Sequence, residues 1–146
     1  MQKIDFKNLP DTSTPINAEN LNQMQTNVES AINSISGVIA SGSDSSGNYI
    51  KFADGTLITA HQVSRALSIT KAWGTLYETT EPADLGNYPI EFKNTPYVFL
   101  TLYNKDGICG SVKNPTNTHA GKVYISAPTT YEQTYIIQVL AIGRWK

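Results

Sequence analysis

Apolar residues change their period twice along this chain. From residue 17 they fall at alternating steps of three and four, at Leu21, Met24, Val28, Ala31, Ile35 and Val38, the a and d positions of a heptad. Asn22, Gln23, Thr26, Glu29, Ser30 and Asn33 make the opposite face polar. Asn17 suits a helix N-cap, Glu19 the first turn, and Ile16 with Leu21 the two halves of a hydrophobic staple. Gly37 supplies a stop. The pattern predicts a helix from Asn17 to about Ser36, in a coiled-coil segment spanning 17–39. Ile32 and Ile39 widen its stripe beyond a two-stranded seam, and β-branched residues at a and d favour three strands over two. A helix of about nineteen residues is marginal alone, so it needs partner helices or a neighbouring domain against the stripe of Leu21, Met24, Val28, Ala31, Ile32 and Ile35, the residues expected at the interface if copies associate. The alternative is an amphipathic helix lying on its own domain.

On either side the pattern differs. Residues 1–16 form a polar arm broken by Pro10 and Pro15, with Ile4, Phe6 and Leu9 free to dock on another protein. Residues 40–47 are rich in Ser and Gly and read as a linker. From residue 48 to 146 the period shortens towards two. Tyr49–Phe52 and Leu57–Thr59 flank Ala53-Asp54-Gly55-Thr56, whose Asp-Gly pair signals a hairpin. Further strand-like runs are 66–70, 72–79, 88–92, 97–103, 122–127 and 134–142. The fold class expected is mainly β: an N-terminal helix in a short coiled coil, followed by an antiparallel β-sandwich of about six to eight strands.

Composition narrows the function. Charged residues make up 16%, the net charge is −1, and Asn, Ser and Thr together supply 40 of the 146 residues. Without a basic excess or a polybasic segment, nucleic acid and membrane insertion are not expected partners. The opening residues hold no continuous apolar run, so no signal peptide is expected and synthesis is placed in a cytoplasm. The single cysteine, Cys109, excludes an intrachain disulfide framework and reads as a small buried hydrophobe.

Catalytic chemistry is sparse. His61 and His119 are the two histidines, neither in a zinc-protease motif, and there is no nucleophile elbow or phosphate-cradling glycine loop. The carboxylates Asp54, Asp84, Asp106, Glu78, Glu81, Glu91 and Glu132 mostly neighbour turn residues, where Asp serves the backbone. No catalytic residue, metal or cofactor is expected. Aromatic residues are more telling, because a tyrosine in a polar loop offers an apolar face to a sugar ring. Tyr131 is the leading candidate, with Asn104, Asp106 and His119 as hydrogen-bonding candidates for a glycan.

Several stretches carry a family resemblance. FKNLPDTSTPINAENLNQMQ resembles the amino terminus of small tail-fibre and minor structural proteins of phages and prophages of Gram-positive bacteria. GNYIKFADGTLI resembles a hairpin of phage fibre-tip domains, and YPIEFKNTPYVFLTL and VLAIGRWK are similar to elements that close such domains. Where relatives often carry Cys or Trp after the Asp-Gly-Thr, this chain has Leu57-Ile58-Thr59-Ala60-His61. The resemblance implies a virion protein: a homotrimeric receptor-binding tip with an H-type lectin-like domain, joined by its arm to another phage structural protein and recognising a host surface polysaccharide or teichoic acid. Two rivals stand beside it. One is a head-fibre or collar decoration whose β domain only trimerises, and the other is a glycan-cleaving tailspike.

Overall fold

The computed structural model describes residues 18–34, 37–103 and 106–146. The chain divides into two compact units, 1–37 and 38–146. The arm of residues 1–16, Asn17 and Ile35 lie outside the described residues.

Helix α1 spans Ala18–Ser34. Side-chain bonds four residues apart support it, Gln23 Nε2 to Asn27 Oδ1 at 2.9 Å and Gln25 Nε2 to Glu29 Oε1 at 3.2 Å. Met24 (61% exposed), Val28 and Ile32 stand in the open. The helical stripe expected to reach residue 39 ends earlier, because Val38 and Ile39 are β-branched residues that open a strand.

The second unit is built from ten strands among the described residues: β1 Val38–Asp44, β2 Gly47–Phe52, β3 Thr56–Trp73, β4 Leu76–Thr79, β5 Ala83–Asp84, β6 Tyr97–Tyr103, β7 Ile108–Cys109, β8 Lys122–Val123, β9 Ile125–Ala127 and β10 Tyr131–Arg144. All pairings are antiparallel. Eight strands share one sheet, and β5 with β8 forms a separate ribbon.

The long strand β3 organises the sheet. Along one edge it pairs with the whole of β10, from Tyr131 opposite Ile69 to Arg144 opposite Thr56. Its other edge takes β2 at Leu57–Ala60 and β4 at Ile69–Trp73. The free side of β10 is covered by β6, with Ile136 opposite Tyr103 and Ile142 opposite Tyr97. The β2–β3 hairpin turns where the Asp-Gly pair predicts. Gly55 holds φ +93 and donates to Phe52 O, and Asp54 Oδ1 accepts from Thr56 N.

Alternation then separates the two faces of the sheet. Leu57, Thr59, His61 and Ile69 of β3 and Tyr135, Ile137, Val139 and Ala141 of β10 point to one side and are buried. Over them pack Leu85, Tyr88, Phe92, Ala120 and Val123 from the segments that follow β4 and precede β9. Those segments run side by side. Leu85 N donates to Gly121 O, Ala120 N to Gly86 O, Tyr88 N to Thr118 O and Phe92 N to Asn117 O.

Four sequence expectations change here. The linker at 40–47 is β1 and a turn: its small residues bury little, but their backbone pairs with β2 from Ala40–Lys51 to Asp44–Gly47. The runs 66–70 and 72–79 are the end of β3 and β4, parted by Gly74 rather than by a break at Lys71. No strand forms at 88–92, where Pro89 removes a donor and the backbone bonds to a loop instead. The run 122–127 is two strands, since Tyr124 carries the chain from the ribbon to the main sheet.

Candidate functional site

β2, β3, β10 and β6 turn an open face outward. Register aligns Tyr97, Ile142, Ile58 and Ile50 in one row and Phe99, Leu140, Ala60 and Asn48 in the next. Tyr97 is 79% exposed, Phe99 54%, Tyr103 49% and Leu140 40%. Gln62, Gln138 and Thr101 form the row beyond. No charged residue occupies an outward position of β10 between Thr134 and Ile142, of β6, or of β3 from Ile58 to Ser68. A cleft of about 660 Å³ lies on this face, walled by the Asp44–Asn48 turn on one side and by Phe99, Thr101 and Leu140 on the other. Apolar surface of this continuity marks an interaction site.

The covered face carries a polar cluster. Arg65 reaches across, its Nε donating to Asp84 O at 2.9 Å and its Nη2 lying 3.6 Å from Asp84 Oδ1. His119 Nδ1 accepts from Gly121 N at 2.9 Å, which leaves Nε2 to face Asp84 Oδ1 at 3.4 Å. Burial pushes the Asp84 carboxyl up. The Gly86 N–H and the charges of His119, Arg65 and Lys122 outweigh it and hold the group below its ordinary value.

His61 sits deeper, with 8% of its surface exposed. Its Nε2 lies 2.8 Å from Leu85 O and so carries the proton, and its ring meets Tyr88 edge-on at 6.2 Å. His61 Nδ1, Thr59 Oγ1 and Tyr88 OH are buried without a hydrogen-bond partner among the described residues. Burial pushes the Tyr88 phenol up to about 12. It also lowers the His61 imidazole from 6.5, assisted by His119 and opposed by the Leu85 carbonyl. The unfolded chain therefore binds a proton here that the folded chain refuses. Stability is complete above about pH 6.5 and falls as pH drops below it towards the folded value. The melting temperature is expected to decline between about pH 7.5 and 5, and His61→Gln is expected to flatten that decline. An unchanged slope in the variant assigns the effect elsewhere.

A third feature lies near the ribbon. Lys113 and Lys122 form an isolated antiparallel bridge, and Lys113 lies over the Tyr124 ring. A shallower cleft of about 480 Å³ is lined by Lys93, Asn94, Thr95, Pro115, Thr116 and Asn117.

These placements bear on the glycan candidates unevenly. Asn104 is outside the described residues, and Asp106 is exposed just before β7. His119 is half-buried and engaged with Asp84 and Gly121 rather than free in a loop. Tyr131 is the first residue of β10, opposite Ile69, with its side chain against the core. Asp106, His119 and Tyr131 do not line either described cleft together. Lys113 and Lys122 escaped the sequence reading because nothing in it pairs two lysines nine residues apart. Cys109 is half-buried, and burial raises its thiol above the ordinary range.

No family model matches the chain, and no curated protein matches it. Two solved structures do. The chain is similar to pyocin tail fibres. One is a C-terminal fragment of the R1 pyocin fibre of P. aeruginosa, at 21% identity and a TM-score of 0.45 over 73% of this chain. This chain spans 28% of that one. The other is an N-truncated R1-type pyocin tail fibre, at 20% identity and a TM-score of 0.47, covering 79% of this chain and 94% of that chain. In helix α1, Leu21 is half-buried while Met24, Val28, Ala31 and Ile32 are exposed.

Proposed function

We propose that this chain is a fibre-tip protein of a phage or phage-like particle, which assembles as a homotrimer and recognises a glycan on a bacterial surface. The observation that carries the reading is the uncharged outward sheet face. A domain that buries its core on one side of β3 and β10 leaves Tyr97, Phe99, Tyr103 and Leu140 open on the other. The exposed apolar residues of α1 support the same reading independently. Each surface exposes more apolar area than a solitary soluble protomer favours, and association of copies removes both from water. The segments resembling phage fibre proteins give this association its context, and the arm of residues 1–16 joins the tip to the particle. Three weak sites on one head raise avidity without tight single contacts.

Size-exclusion chromatography with light scattering is expected to give about three times the 16.0 kDa protomer mass. A stable monomer at micromolar concentration overturns the reading. The same open face also suits a decoration protein with structural duty alone. A pull-down of labelled protein on purified cell walls separates the two, because only a receptor-binding tip sediments with the walls. Release of soluble oligosaccharides in that assay points instead to cleavage.

A further inference from the structure

We propose that Lys113, Lys122 and Tyr124 form a recognition site for an anionic surface polymer, one whose sugar or polyol units carry phosphodiester or carboxylate groups. The inference rests on the receptor-binding reading above and names the chemistry of its ligand.

The site is built by backbone. Lys113 N donates to Lys122 O at 2.8 Å and Lys122 N donates to Lys113 O at 2.9 Å. This reciprocal pair places the two residues directly opposite, with Cα atoms roughly 5.5 Å apart. Gly121 holds φ +86, and a Cβ there would collide with Lys113 O, so the turn that sets the pair requires glycine. One step along, Gly110 N donates to Tyr124 O at 2.8 Å. Burial alternates from Gly121 through Ile125, which sends Lys122 and Tyr124 to the same outward side. Lys113 Nζ stands 4.5 Å from the centre of the Tyr124 ring.

Electrostatics make this arrangement costly by itself. Like charges directly opposite on paired strands repel. Among the described residues neither ammonium is ion-paired, whereas nearby Lys71 is bound by Glu78 at 2.8 Å and lies 5.8 Å from the same ring. Asp84 lies opposite Lys122 across the β5–β8 pairing and feels its charge, along with those of His119 and Arg65, without forming an ion pair with it. Two unpaired ammoniums held together in a chain of net charge −1 thus form a local cationic point rather than part of a broad basic field. An oxyanion between them relieves the repulsion. The half-buried Tyr124 adds a hydroxyl and a ring edge for the adjoining sugar or polyol.

The test uses the full chain, with poly(glycerol phosphate), polygalacturonate and uncharged dextran as probes and purified cell walls alongside. Wild-type protein is expected to bind one of the two charged polymers and not dextran, with affinity falling as salt rises. Lys113→Gln with Lys122→Gln is expected to weaken that binding about tenfold or more and to flatten the salt dependence. The double variant is expected to melt close to the wild-type temperature, since the Lys113–Lys122 repulsion and the Lys122–Asp84 attraction are lost together, which separates lost binding from lost folding. The charged polymer that binds tells phosphodiester from carboxylate. Equal binding by variant and wild type overturns the site and leaves the receptor reading standing. So does binding to walls but to neither charged polymer. Failure to bind walls or any polymer overturns both.

Discussion

Trp145→Ala is expected to destabilise the β unit by about 2–3 kcal/mol, towards the low end for removal of a large aromatic because the ring is only half-buried. The reason is the position of the chain terminus. Trp145 Nε1 donates to Phe52 O at 3.0 Å and its backbone N to Gly55 O at 3.0 Å. Arg144 Nη2 donates to Asp54 O at 2.6 Å, and Lys146 Nζ donates to Ala53 O. Four carbonyls of the β2–β3 turn thus take donors from the last three residues. Lys51 and Lys146 lie over the indole at 5.3 and 4.9 Å. Urea unfolding at neutral pH measures the effect. A loss under about 0.5 kcal/mol, the ordinary range for a surface substitution, contradicts the clamp. Trp145→Phe keeps the ring and loses the Nε1 bond, and is expected to fall between the two.

The second large effect concerns assembly. Phe99 and Leu140 face each other across the β6–β10 pairing on the outward side. Phe99→Glu with Leu140→Glu leaves each protomer folded, since both positions are exposed. In a trimer that buries this face, two unpaired carboxylates cost about 3 kcal/mol or more, enough to weaken association over a hundredfold. Light scattering is expected to show monomers at concentrations where the proposed wild-type trimer persists. Persistence of the trimer transfers the whole of association to helix α1.

Legibility in the sequence followed the kind of force that makes each element. The strand at 97–103 was readable because Tyr97 to Tyr103 is an unbroken run dominated by aromatic and β-forming residues bounded by Pro96 and a turn, and the hairpin at Asp54-Gly55 because glycine alone takes that backbone angle easily. β1 was invisible because its Ser and Gly residues bury almost nothing and are held by backbone pairing, which leaves no mark on hydropathy. The aromatic run at 88–92 misled for the converse reason: Tyr88 and Phe92 are buried, but by a loop. At the candidate sites the aromatic load was legible and its geometry was not. Tyr131 stood in polar sequence, yet β10 begins at that residue and turns its ring to the core.

Tyr124 joins β8 of the ribbon to β9 of the main sheet with no residue to spare. The two sheets are consequently joined at the point where the Lys113–Lys122 bridge is hydrogen-bonded. A partner arriving there finds the roots of both side chains already aimed, so the entropy surrendered on contact is confined to the lysine tips and to the partner itself.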